Sequence, residues 1–442
     1  MTRVNVRKAL LTAAVVYSVI HFAVSGLWFA LRVPNVGQVI EELQPLYRLF
    51  TAGAATVDHP RQYGPVFLFL FHPIYRLDLQ DPTLLSRYAL ALDLLAIAVG
   101  FAATWDAIRT WLKGRGQAAT PMMLLALFLL WANFSPLYGV LVIKNVELWE
   151  LALIAVAGAA LLRGNHWLTG WSVAAAALVK MLPFALLPYL LLRDRRAFVH
   201  ALIALGVLLT ASQFLYGTPM GWGYLPAMVT AASGGDSFGF LLGMTWHENV
   251  SLRGVVLKAF GYLTFPDYKV AYLGSRGFFV RVWPGFEQTA RIVAMLVEVV
   301  AMAWAAWALW RRTFVHEPGR GFWDWALVGI MMLVLAPQIS QDYMVLTLVA
   351  FSFVLAGCMA MPSRRAWIEF AIALLLVGNV LPRGVFSRLV LIDPMMSFSG
   401  YTHLTRSEAY QYFCFPLLGL LVLTLAWIRL AAADDASAPS RV

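Results

Sequence analysis

The chain has 442 residues, of which 61% are hydrophobic and only 13% charged, and its mean hydropathy is +0.73. Such a composition excludes a water-soluble globular protein and points to a polytopic membrane protein, because too little polar surface is present to cover a folded exterior. The formal net charge of +10 does not indicate nucleic-acid binding: the basic residues form short clusters between apolar runs, which is the pattern of topology signals.

Apolar runs of spanning length occupy about residues 9–31, 84–111, 119–143, 145–162, 167–192, 197–216, 287–310, 322–336, 342–361, 366–382 and 411–431. Most are expected to be helices, since a backbone facing lipid must satisfy its hydrogen bonds internally. The first follows Arg3, Arg7 and Lys8; its length and Trp28 near its end favour a retained anchor over a cleaved signal peptide. With that basic start inside, 32–83 falls outside, and Arg109, Lys113 and Arg115 return inside. The segment Tyr63–Tyr75 is apolar but too short to span, and is expected at the outer interface.

Farther on, Arg163 and the cluster Arg193, Arg195 and Arg196 both belong inside, yet one helix across 167–192 would separate them. Lys180, Pro183 and Pro188 lie within that run, and proline interrupts helices, so the sequence predicts a re-entrant hairpin with Lys180 near its tip. Counting onward puts 217–286 outside, Arg311 and Arg312 inside, 337–341 outside, Arg364 and Arg365 inside, and 383–410 outside. Cys358 and Cys414 fall near opposite ends of their helices and are not expected to bond. Residues 1–432 read as one membrane domain, and 433–442, rich in Ala, Asp and Ser, as a disordered cytoplasmic tail.

Polar chemistry concentrates in the long outer loops, which carry Glu41, Glu42, Asp58, His59, Arg61, His247 and Arg253 among others. A carboxylate to accept a proton and cations to hold a phosphate are therefore available together. The step from Glu41 to Arg48 also reads as a solvated acidic turn opening an interfacial helix. The stretch Val57-Asp58-His59-Pro60-Arg61-Gln62-Tyr63-Gly64-Pro65 mixes acid, imidazole, guanidinium and aromatic groups in a way that suits a sugar phosphate. Within the apolar runs lie Asp93, Lys180 and Glu298, with Lys144 and Glu147 near the outer end of a span; charges there are costly and mark sites, although Asp93 and Glu298 serve equally well as helix-packing partners. His21, His166 and His200 are scattered and read as interfacial, and HExxH, CxxC, Walker and Gly-rich dinucleotide motifs are absent from the sequence.

These residues resemble glycosyltransferase family 87, the C-type membrane mannosyl- and arabinofuranosyltransferases that use polyprenyl-phosphate sugars. Glu42-Leu43-Gln44-Pro45-Leu46-Tyr47 resembles the family's Asp-Phe-x-x-x-Tyr, and Tyr63-Gly64-Pro65 its Tyr-Pro-Pro. Asn145-Val146-Glu147 resembles an Asn-containing stretch, and Lys180 to Arg196 a Lys-Pro-x-x-x-Leu-x-x-Pro stretch ending in a basic turn. Asn249-Val250-Ser251-Leu252 resembles an Asn-x-Ser-Leu loop, and Ser340-Gln341-Asp342-Tyr343 a polar turn opening a late helix. Two departures stand out: Glu42 replaces the family Asp, and Tyr343 and Met344 replace a His pair.

The resemblance implies an all-α bundle of about 10 to 13 transmembrane helices with re-entrant or interfacial helices. It implies an inverting, metal-independent transfer without cofactor, from a polyprenyl-phosphate sugar to a glycolipid or polysaccharide acceptor, at the extracytoplasmic face of a cell membrane. Glu42 is then the expected base, with Glu41 and Asp58 as substitutes. The expected substrate-binding set is Tyr47, His59, Arg61, Tyr63, Lys144, Asn145, Glu147, Lys180, His247, Asn249, Arg253, Gln341 and Asp342. A transporter or flippase for a lipid-linked sugar, or a non-catalytic assembly protein, are the competing readings; the former would show internal repeats and midplane polarity.

Overall fold

The computed structural model describes residues 15–24, 64–70, 82–143, 145–227, 249–262, 271–272, 278–279, 287–313, 320–336, 339–361, 363–378, 397–398, 402–403 and 414–437. In chain order its helices are α1 (Val15–Val24), α2 (Pro82–Gly114), α3 (Pro121–Asn133), α4 (Ser135–Ile143), α5 (Glu147–Leu162), α6 (His166–Val179), α7 (Leu186–Arg193) and α8 (Arg195–Tyr216). They continue as α9 (Leu252–Tyr262), α10 (Glu287–Thr313), α11 (Arg320–Val334), α12 (Leu348–Ala360), α13 (Arg364–Ala373) and α14 (Phe415–Ser437). Short helical segments at 65–70 and 224–227 are also described, with two antiparallel ladders of two residues each, Ala271–Tyr272 with Phe278–Phe279 and Ser397–Phe398 with Thr402–His403.

The protein is an all-α multi-pass membrane protein. Among the described residues five helices are long and apolar enough to cross a membrane, over Arg87–Gly114, Arg195–Tyr216, Gln288–Arg311, Gln341–Ala360 and Phe415–Ala436. A sixth arises if the bent pair α3 and α4 is one span. The run expected over 119–143 is not one straight helix: the chain bends by 52° between the two. Phe134 takes an extended conformation at the break (φ −78°, ψ 104°). Pro136 follows Ser135, and proline disfavours the helical conformation of the residue before it while tolerating a place in a first turn.

The predicted hairpin is present. Gly164 ends α5 with φ +70°, a left-handed turn that glycine adopts without strain. Asn165 then caps α6 by accepting a hydrogen bond from Leu168 N–H. After fourteen residues, about 21 Å of helix, α6 stops at Lys180, whose backbone is extended (φ −151°, ψ 151°). The chain returns through the 3-10 turn Leu182–Ala185, with Pro183 at its start, and α7. At the base, His166 Nδ1 lies 2.5 Å from Asp194 Oδ2, and Asp194 also caps α8 by accepting from Arg196 and Ala197 N–H. Both limbs thus start and finish at one end of the bundle, where Arg163 pairs with Asp106.

Helix α2 packs along α5, α5 against α6, and α6 along α8. The last contact is intimate: a Cβ on Gly170 would lie 2.4 Å from the Ala197 carbonyl oxygen, so only glycine permits the approach. Close backbone packing and interhelical hydrogen bonds replace the hydrophobic effect where lipid is the solvent. Trp131 Nε1 donates to Ser352 Oγ at 3.0 Å, and Trp149 Nε1 to Asp93 Oδ1 at 3.0 Å, which gives Asp93 the packing role open to it in the sequence. His21 on α1 is hydrogen-bonded to Asn133 Oδ1 at 2.7 Å, an interhelical contact that periodicity does not reveal.

Of the expected tail 433–442, residues 433–437 are helical and 438–442 lie outside the described residues. Helix α14 continues through Ser437, because Asp434 is buried and accepts hydrogen bonds from Trp323 Nε1 (2.8 Å) and Trp111 Nε1 (3.3 Å) while pairing with Arg115. Trp111 stacks on Phe322 at 4.4 Å between centroids, and Phe322 on Phe353 at 4.0 Å. Cys358 and Cys414 are both buried and free, as expected.

Candidate functional site

The tip of the α6–α7 hairpin, against the start of α5, gathers charge. Glu147 and Glu150 stand in the first turn of α5, where the helix dipole favours acids, and both are fully buried. Across from them Lys180 Nζ donates to Glu147 Oε1 at 2.7 Å, and the same ammonium lies 4.3 Å from the centre of the Tyr343 ring. A cation over an aromatic face, desolvated and paired with a carboxylate, is a costly arrangement that packing alone does not call for. Below it, neither carboxyl oxygen of Glu150 has a hydrogen-bond partner among the described residues, and the same is true of the Tyr224 hydroxyl. Burial, with Glu150 beside it, pushes the Tyr224 phenol well above its ordinary value, so it stays protonated.

Other segments are tied to this end of the bundle. Gly64 N–H donates to the Val179 carbonyl at 2.9 Å, next to Lys180. A Cβ on Gly64 would sit 2.1 Å from the Leu178 carbonyl oxygen, so the position just before the helical segment 65–70 must carry glycine. Asn249 Oδ1 accepts from Ser251 N–H (3.0 Å) and Ile339 N–H (3.1 Å), and its carbonyl accepts from Lys258 Nζ (2.7 Å). Val250 N–H closes the staple on the Ile339 carbonyl at 2.7 Å. The Asn249 loop is thereby fastened to the chain that leads into the 3-10 turn Gln341–Thr347, which carries Asp342 and Tyr343.

Of the expected site residues, Glu147 and Lys180 touch each other directly, and Asn145 opens α5 with Oδ1 accepting from Val146 N–H at 2.8 Å. Gln341 is buried, and Asp342 faces α4, its Oδ1 being 3.6 Å from where a Cβ on Gly139 would stand. Asn249 serves the loop staple. Arg253 is engaged elsewhere: its Nε donates to Glu298 Oε1 at 2.6 Å and its Nη2 to Oε2, a bidentate pair joining α9 to α10. Glu41, Glu42, Tyr47, Asp58, His59, Arg61, Tyr63, Lys144 and His247 lie outside the described residues.

Sequence reasoning missed Glu150, Tyr224 and the role of Tyr343. The signal for Glu150 was present: a second acid three residues after Glu147, on the same face of an otherwise apolar helix. Nothing in the sequence announces Tyr224, which is brought in by the chain beyond α8. Among the described residues no three His, Cys, Asp or Glu side chains are grouped to hold a metal ion.

A family model described as glycosyltransferase family 87 matches residues 62–337, which is more than half of the chain. The match includes Glu147, Glu150, Lys180, Tyr224, Asn249 and Arg253, and begins after Glu41, Glu42 and Asp58. No curated protein matches the chain.

Proposed function

Because the chain belongs to glycosyltransferase family 87, we propose that it moves mannose or arabinofuranose from a polyprenyl-phosphate donor to a glycolipid or polysaccharide acceptor. The transfer takes place on the extracytoplasmic face of a cell membrane and inverts the anomeric centre. Glu42 takes the proton of the acceptor hydroxyl, the hydroxyl oxygen forms the new bond to the anomeric carbon, and the bond to the phosphate oxygen breaks with its electron pair leaving on the lipid phosphate. Lys180 meets the charge that grows on that phosphate.

The observation that carries this reading is the buried Lys180, paired with Glu147 and lying over Tyr343, at the tip of a helix pair that enters and leaves at one end of the bundle. A cation kept at that depth costs several kcal/mol and is retained where an anion must be met. Gly64 supplies the link to the sequence motif before it: Arg61 is three residues from a backbone hydrogen-bonded beside Lys180, and Asp58 six, a reach of at most about 20 Å even fully extended. The basic clusters favour placing this end outside.

Three isosteric variants test the base. Glu42→Gln keeps shape and removes the proton acceptor, and is expected to lower transfer from a polyprenyl-phosphate sugar on the order of a hundredfold or more. Glu41→Gln and Asp58→Asn are assayed beside it. Loss in Asp58→Asn with near-normal Glu42→Gln moves the role to Asp58; activity in all three sinks the mechanism.

A further inference from the structure

Glu150 is the charged group at the hairpin tip that the proposed transfer leaves without a task. It is fully buried, and both its carboxyl oxygens lack a hydrogen-bond partner among the described residues. Lys180 and Glu147 are the charged groups that act on it, and the phenols of Tyr224 and Tyr343 feel its charge in turn. An isolated carboxylate in such surroundings is prohibitively costly, and the physical remedy that needs no added volume is a bound proton. Glu147 lies three residues before Glu150 in the same helix, so their Cβ atoms are about 5 to 6 Å apart and their carboxyl groups can meet.

The donor reading above creates a difficulty that this pair resolves. When Lys180 turns from Glu147 to the phosphate of a donor, Glu147 Oε1 loses the ammonium that donates to it, and taking a charged donor from a buried carboxylate is unfavourable unless another proton takes its place. We propose that Glu150 is a positioning residue that carries a proton and shares it with Glu147 whenever Lys180 leaves Glu147 for a phosphate group. The two carboxyls then hold one proton between them, the pair keeps a charge of minus one before and after, and no proton enters or leaves. Lys180 is in this way reversibly released to substrate. The proposal rests on the transferase reading only for the identity of the phosphate.

Infrared difference spectroscopy on the full-length protein in lipid nanodiscs tests it, because the carbonyl stretch of a protonated carboxyl is absent from a carboxylate. The wild type should show a band at neutral pH that Glu150→Gln lacks, and Glu150→Leu serves as a second reference if the Gln variant folds poorly. Adding farnesyl phosphate should shift that band to lower frequency as the shared hydrogen bond forms; inorganic phosphate is the second arm. A shift with either anion supports the proposal, a shift with farnesyl phosphate alone assigns the site to lipid phosphates, and no Glu150-dependent band, or one that neither anion moves, overturns it. In transfer assays kcat/KM for the donor should be about tenfold lower in Glu150→Leu than in Glu150→Gln, whose amide still donates to Glu147; equal values contradict the role. If the wild type moves no sugar from any lipid-phosphate donor the transferase reading falls, while the infrared response to the two phosphates still decides what Glu150 does.

Discussion

Two buried acids at different places in this bundle are treated in opposite ways. Asp434 is surrounded by donors: two indole N–H groups and the guanidinium of Arg115, packed beneath the Trp111, Phe322 and Phe353 stack. Glu150 is buried more completely still and has no hydrogen-bond partner among the described residues. Natural folds satisfy nearly all buried polar groups, and exceptions concentrate where function opposes stability. The Asp434 cluster is therefore a clasp that holds α14 onto α2 and α11, whereas at the hairpin tip a buried carboxyl is left unsatisfied.

The contrast predicts opposite signs under mutation. Asp434→Leu removes the acceptor of two indoles and the carboxylate paired with Arg115, so it should lower the unfolding free energy in detergent by about 3 kcal/mol while leaving turnover per folded molecule within about twofold. A neutral effect on stability would make the clasp ornamental. Glu150→Leu should go the other way, raising stability by about 1 to 2 kcal/mol as an unsatisfied buried carboxyl is replaced by a side chain of similar volume, at a cost in turnover. Destabilisation there would place Glu150 with Asp434 as a structural acid.

Smaller effects sharpen the comparison elsewhere. The Arg253–Glu298 pair stands between the two cases, since it is bidentate yet half-buried on the arginine side. Arg253→Ala should reduce turnover several-fold if the guanidinium also meets a donor, roughly 1 kcal/mol of transition-state stabilisation; unchanged kinetics assign it to joining α9 and α10 alone. Smallest of all, His166→Asn at the hairpin base should cost less than about 1 kcal/mol in thermal unfolding, because the His166–Asp194 contact is partly exposed.

Much of this architecture was legible in the residues. Lys180 with Pro183 and Pro188 announced the hairpin because proline and a membrane-depth charge each have a narrow physical meaning, and the arginines at its two ends demanded a common side. The bend at Phe134 was harder to read: the run over 119–143 stays apolar through it, and hydropathy is blind to a backbone break. The role of Asp434 was hidden for a related reason, since it looks like a solubilising residue until Trp111 and Trp323 are folded around it. At the site, Glu147 was visible as an acid near a span's end, whereas Glu150, three residues on, gains its meaning from lacking a hydrogen-bond partner among the described residues, which only three-dimensional packing can show.

The proposed function turns on whether the hairpin tip, and Lys180 above all, holds the phosphate of a lipid-linked sugar. Binding of a polyprenyl-phosphate mannose to the purified protein in nanodiscs, wild type beside Lys180→Met, tests it most directly. Saturable binding by the wild type that weakens at least about tenfold in Lys180→Met, equivalent to about 1.4 kcal/mol, is the predicted result. Equal affinity in the two proteins, with both folded, would contradict it.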